Sequence, residues 1–146
     1  MQLYTIGFTS KTAEQFFGFI RRAGVATVVD VRLNNTSQLA GFSRRQDLPF
    51  FLRELCGADY AHVPALAPSR ELLTAHRRKE LAWPEFRSRY LDLLDQRSIE
   101  DQLDSTLLER GCLLCSEHEP HHCHRSLIAD YLNDRAGLGL RVHHLY

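Results

Sequence analysis

Net charge is the first thing the chain lacks. Its 18 basic side chains balance 18 acidic ones across 146 residues. That excludes a strongly cationic nucleic-acid binder and an acidic solvating tail as descriptions of the whole molecule. Long apolar runs are missing too. No stretch approaches the ~20 residues of a membrane span. The opening Met1-Gln2-Leu3-Tyr4-Thr5-Ile6-Gly7 has neither the cationic start nor the apolar core of a secretory signal. Cysteine is sparse. Cys56, Cys112, Cys115 and Cys123 do not make a disulfide framework at this chain length, so a reducing cytoplasm is the expected setting. The phosphate cradle G-x-x-x-x-G-K-[ST] is absent and no G-x-G-x-x-G follows a strand, so ATP hydrolysis and dinucleotide redox chemistry lose their sequence support. The loop of protein phosphatases and sulfurtransferases sets a Cys shortly before an Arg, directly after a strand. Here Cys115 stands ten residues before Arg125, and the match fails. With no repeat, linker or low-complexity tract, residues 1–146 read as a single domain.

What is present alternates. Leu3-Tyr4-Thr5-Ile6, closed by Gly7, reads as a buried strand. Ser10 or Thr12 caps the next helix, Thr12-x-x-Gln15 having capping-box form, and Gly24 stops it. Val25-Ala26-Thr27-Val28-Val29-Asp30-Val31 is apolar almost throughout, as a central parallel strand is. Asp47 then caps a helix through Leu55, ended at Gly57, and Tyr60-Ala61-His62-Val63 makes a third strand. Residues 69 to 109 read as two or three helices, with Ser69 and Pro84 at helix starts and Gly111 ending the block. Cys112-Leu113-Leu114-Cys115 is a fourth strand, Ser126 to Arg135 a helix, and Leu140 to Leu145 the last strand. This predicts a three-layer α/β fold with a mostly parallel sheet of about five strands and helices on both faces. Strand order is not readable from periodicity.

In such a sheet ligands gather beyond the carboxyl ends of the strands. Gly7 lies there after the first strand. Asp30 and Arg32 follow the second, on the same side of it by alternation, with Asn34, Asn35, Thr36 and Ser37 in a long loop. Beyond the fourth strand run Cys115-Ser116-Glu117-His118-Glu119-Pro120-His121-His122-Cys123-His124-Arg125. The triplet Cys123-His124-Arg125 opens a helix, where free N–H groups favour anions. A thiol beside Arg125 and a histidinium is expected to be drawn toward thiolate. Arg125 adds a forked donor for phosphate or carboxylate, and Glu117 a general acid or base. Asp30 and Arg32 are either a plain ion pair or an anion clamp whose carboxylate fixes the arginine.

Two competing readings come from the same residues. Cys115 and Cys123 with His118, His121, His122 and His124 are zinc-type ligands, although no CxxC pair or HExxH signature organises them. Arg44, Arg45, Arg53, Arg70, Arg77, Arg78, Lys79, Arg87 and Arg89 make a basic middle. Interleaved Phe42, Phe50, Trp83 and Phe86 are either core or stacking rings of a nucleic-acid surface.

Thr5-Ile6-Gly7, Asp30-Val31-Arg32 and Cys115-x-Glu117-x-x-Pro120-x-x-Cys123-His124-Arg125 resemble the domain of unknown function 488 family, in order and over nearly the whole chain. Asn34-Asn35-Thr36-Ser37 and Leu66-Ala67-Pro68 look like a subgroup of it. The resemblance implies a compact α/β protein of bacterial or archaeal type and no particular reaction. It marks Gly7, Asp30, Arg32, Ser37, Cys115, Glu117, Cys123, His124 and Arg125. Many relatives carry a His where this chain has Phe8 and a Pro near Asn35, so a mechanism needing that His as base does not transfer.

The expectation is an enzyme acting on an anionic, phosphate- or nucleotide-like ligand. Arg32, Arg125, Gly7 and Ser37 hold the anion, Cys123 is the nucleophile or redox-sensitive thiol, Glu117 or Asp30 moves protons, and His124 assists. The alternatives are a nucleotide or nucleic-acid binding module without catalysis, and a metal-binding protein. No motif names a cofactor, a membrane partner or an oligomeric state.

Overall fold

The structure is a computed structural model and describes residues 1–35, 41–115 and 123–146. Five strands alternate with helices: β1 (Gln2–Gly7), α1 (Ala13–Ala23), β2 (Thr27–Asp30), α2 (Leu48–Cys56), β3 (Asp59–His62), α3 (Arg70–Arg77), α4 (Trp83–Gln96), α5 (Ile99–Gln102), β4 (Gly111–Cys115), α6 (His124–Ala136) and β5 (Arg141–Leu145). All strand pairs are parallel, in the order β3-β2-β4-β1-β5. This is the three-layer α/β fold that the alternation predicts.

Side-chain alternation along the strands divides the core in two. Val28, Cys112, Leu114 and Ile6 pack under Phe16, Phe17 and Ile20 of α1 and Leu48 and Leu52 of α2. Val29, Leu113, Leu3 and Cys115 point to the other face, into Phe86, Tyr90 and Leu94 of α4 and Leu127, Ile128, Tyr131 and Leu132 of α6. The two strands that carry most of this, β2 and β4, are adjacent and fully apolar in the middle. That is what burial on both faces requires.

Local signals hold at most boundaries. Thr12 accepts from Gln15 N at 3.1 Å and donates its own N–H to Gln15 Oε1 at 2.9 Å, a complete capping box. Ser69 caps α3 through Leu72 N, and Pro84 sits in the first turn of α4. Gly24, Gly57 and Gly137 end α1, α2 and α6 in the left-handed region.

Four boundaries differ from the sequence reading. The second strand is only Thr27–Asp30, shorter than the apolar run, although Ala26 N still donates to Arg110 O at 2.8 Å and Val31 N to Leu114 O at 3.1 Å just beyond its ends. Asp47 precedes α2 in an αR conformation and makes no side-chain cap, since its φ and ψ do not aim the carboxylate back at the helix. The last helix begins at His124 rather than Ser126, with Cys123 as its N-cap residue. Gly111 is the first residue of β4 rather than a stop. An ideal Cβ there would lie 2.2 Å from Leu107 O, so the close approach of backbone is what demands glycine.

No helix among the described residues is long and apolar enough to cross a membrane. Of the four interleaved rings only Phe50 is exposed, with the Arg53 guanidinium 5.9 Å from its centre. Phe86 is buried against His76, Trp83 and Tyr90, and Phe42 packs on Phe16 and Phe17.

Candidate functional site

The carboxyl ends of β2, β4 and β1 bring together two buried clusters. The first is built on Asp30, the last residue of β2. Its Oδ1 accepts from Arg32 Nε at 2.8 Å and from Arg32 N at 3.1 Å. Its Oδ2 accepts from Arg32 Nη2 at 2.9 Å, Tyr60 OH at 2.6 Å and Asn35 Nδ2 at 3.2 Å. Asp30 and Arg32 therefore do share a side, in a forked ion pair with both residues buried. Burial alone would raise the Asp30 pKa. The Arg32 hydrogen bonds and charge, with the Tyr60 hydroxyl, outweigh it and hold the carboxyl below its ordinary value. The same Asp30 bond, added to burial, pushes the Tyr60 phenol up.

Arg32 is held from every side but one. Nη2 also donates to Ser43 O at 2.7 Å, and the guanidinium lies 5.6 Å from the centre of the Phe8 ring. His62, paired with Asp30 in the sheet register, donates its Nε2–H to Arg32 O at 3.0 Å. Nη1 is buried and meets no acceptor among the described residues. An arginine N–H in that position sacrifices a charged hydrogen bond unless something external accepts it.

The second cluster is built on the end of β4 and the start of α6. Cys115 and Cys123 are both buried, and their sulfurs are 2.9 Å apart. Arg125, also buried, donates from Nη1 to Cys115 Sγ at 3.5 Å. Here the structure corrects one expectation. The Cys123 thiol is pushed well above its ordinary pKa by its bond to Cys115 and by burial, not drawn toward thiolate. Of the two sulfurs, Cys115 is the one that accepts from Arg125. A second expectation is corrected at His124. Its Nε2–H donates to Val31 O at 3.2 Å and burial lowers its pKa to about 4, so the ring is neutral near pH 7 rather than a histidinium.

The two clusters are rooted on opposite faces of the sheet. Asp30, Tyr60 and Phe8 belong to the α1–α2 side, and Cys115 and Cys123 to the α4–α6 side. They meet at the edge, where His124 bridges to Val31 and Val31 N donates to Leu114 O at 3.1 Å. Gly7 stands in register with Cys115 at that edge. Glu117, Ser37, His118, His121 and His122 lie outside the described residues. No group of three metal-ligating side chains occurs among the described residues, and His124 turns to a carbonyl rather than to the sulfurs.

Three residues were not anticipated as site residues. Tyr60 joins Asp30 because β3 neighbours β2, an adjacency that periodicity does not carry. Ser43 contributes a carbonyl that accepts from Arg32 Nη2. Lys11, in the turn after β1, is half-buried, and burial and the Arg125 charge lower its pKa. Its place three residues after Phe8, just beyond the carboxyl end of β1, was the available signal.

A parallel five-stranded sheet with helices on both faces, and buried arginines and thiols at its carboxyl edge, defines the class: a three-layer α/β domain. The chain matches the family described as Domain of unknown function DUF488 over residues 12–132 and belongs to it. No curated protein and no solved structure is significantly similar to the chain.

Proposed function

We propose that this protein is an enzyme whose ligand carries a small oxyanion, phosphate- or nucleotide-like, bound at the carboxyl edge between Arg32 and Arg125. The observation that carries the reading is Arg32 Nη1, a buried charged donor with no acceptor among the described residues, on a side chain held by Asp30, Ser43 O and the Phe8 ring. A fixed guanidinium with one open N–H is a preorganised oxyanion contact. Asp30 is fully engaged by five donated hydrogen bonds and acts here as the group that positions Arg32, not as a proton carrier. Cys115, facing Arg125, supplies the nucleophilic sulfur, and Cys123 holds the neighbouring proton. Glu117 as acid or base, two residues after Cys115 in sequence, and Ser37 as a further anion contact, five residues after Arg32, complete the proposal, with Gly7 at the sheet edge.

Isothermal titration with inorganic phosphate and with a nucleoside monophosphate tests it. Binding is expected in the wild type, weakened about tenfold or more in Arg32→Lys, which keeps the charge and loses the fork. Unchanged affinity in Arg32→Lys overturns the reading.

One observation favours the second reading, a nucleotide or nucleic-acid binding module. A cavity of about 510 Å³ beside Asn35 is lined by Leu33, Asn34, Arg70, Leu73, Thr74 and Arg77. Neither arginine has an ion-pair partner among the described residues. Affinity for single-stranded oligonucleotide that falls steeply with salt, with no product formed, would select this reading over catalysis.

A further inference from the structure

We propose that Cys115 and Cys123 form a two-electron thiol–disulfide couple, oxidised by hydroperoxides, at the junction of β4 and α6. Nothing in the ligand reading requires this, and it stands without it.

The geometry carries the inference. The sulfurs are 2.9 Å apart, about 0.9 Å beyond a covalent S–S bond of roughly 2.05 Å. Each cysteine is pinned by a different element. Cys115 ends a strand paired on both sides of the sheet, in register with Gly7, and Cys123 is the N-cap residue of α6. The couple is therefore preassembled, and closing the bond needs only a small approach of two fixed backbones. The remaining cysteines are placed otherwise. Cys112 belongs to the opposite core cluster, and Cys56 donates to Phe17 O at 3.5 Å. All four are free thiols in the structure.

The surroundings distinguish the two sulfurs. Arg125 donates to Cys115, and Cys123 retains its proton, so Cys115 is the attacking atom. Its thiolate takes one oxygen from the hydroperoxide, R–O–OH, breaking the O–O bond. This gives Cys115 sulfenic acid and an alkoxide, which is protonated to the alcohol. The Cys123 sulfur then attacks the sulfenic sulfur, its proton leaving with the hydroxyl as water. In sum, two thiols and one hydroperoxide give one disulfide, one alcohol and one water, with both electrons passing from sulfur to the peroxide oxygen. Arg125 thereby loses a negatively charged acceptor.

The test is the intact mass of the reduced, chelator-treated full chain after exposure to hydrogen peroxide, followed by alkylation of the free thiols and peptide mapping. The expected result is a loss of about 2 Da, localised to a Cys115–Cys123 link, reversed by dithiothreitol, with Cys56 and Cys112 alkylated as before. In Cys123→Ser the link cannot form, and Cys115 is trapped by dimedone as the sulfenic acid. In Cys115→Ser the Cys123 thiol stays unmodified. Circular dichroism confirms that both variants fold, and the wild-type map decides the matter should either fail. The proposal is overturned by no mass loss at peroxide levels that oxidise Cys56. A link through Cys56 or Cys112, or dimedone trapping at Cys123 in place of Cys115, would overturn it equally.

Discussion

Arg32 binds Asp30 with both arms of its fork, through Nε at 2.8 Å and Nη2 at 2.9 Å, and points its remaining Nη1 at no acceptor among the described residues. The pair is buried on both sides. A buried pair of this kind is weak evidence for stability, because removing both charges from water offsets most of their attraction. Removing one partner is different. Asp30→Asn should destabilise the protein by about 3–5 kcal/mol, the loss seen when a buried charge is left unmatched. Urea unfolding followed by circular dichroism measures it.

Tyr60 isolates a milder part of the same network. Tyr60→Phe removes the 2.6 Å bond to Asp30 while keeping the ring against its neighbours. The expected loss is about 1.5–3 kcal/mol, that of a hydrogen bond to a charged group. Binding of phosphate at Arg32 should survive, since the Arg32 fork does not depend on the phenol. Titration calorimetry on the variant checks this.

Acid should destabilise the fold in two overlapping steps. His124 has a folded pKa of about 4, below the ~6.5 of an unfolded histidine. The unfolded chain takes up this proton first, so stability present above pH ~6.5 is lost as pH falls toward 4, by roughly 3 kcal/mol at most. Asp30 is also held below its unfolded value. Its contribution is present above about pH 3.9 and is lost below it, as the folded carboxyl is protonated. His124→Gln should flatten the pH 4 to 6.5 limb of a melting-temperature profile and leave the lower limb in place.

Gly111→Ala tests the close approach at the start of β4. The added Cβ would meet Leu107 O at 2.2 Å, a backbone atom with no rotamer to change. Strand β4 or the turn before it must shift, and a loss of about 1–3 kcal/mol is expected. A melting temperature equal to wild type would show that the turn moves freely.

Much of the layer architecture was legible, for identifiable reasons. Phe16, Phe17 and Ile20 gave α1 its inward side, Thr12 and Gln15 its start, and Gly24 its end, all from residues close in sequence. The like-sided placement of Asp30 and Arg32 followed from strand alternation alone. What escaped depended on distant neighbours. Tyr60 reaches Asp30 only because β3 lies next to β2. Cys123 is a protonated thiol because Cys115 and the core surround it, an effect stronger than the helix-start field read from the sequence. The neutrality of His124 likewise comes from burial in the folded core, which outweighs the opposing effect of its bond to Val31 O, a carbonyl far along the chain.

The strand order carries a consequence for how the molecule is made. Strand β4 is hydrogen-bonded to β1 on one side and to β2 on the other, so it is the keystone of the sheet. A ribosome that has released residues 1 to 110 has made β2 and β3, which can pair, and a solitary β1 whose two partners are both still missing. Arrival of residues 111–125 welds these fragments together, and in the same event delivers both sulfurs and Arg125 to the edge where Arg32 waits. Such late, long-range closure slows folding, and it means that no sulfur–arginine cluster is assembled before residue 125 has been made.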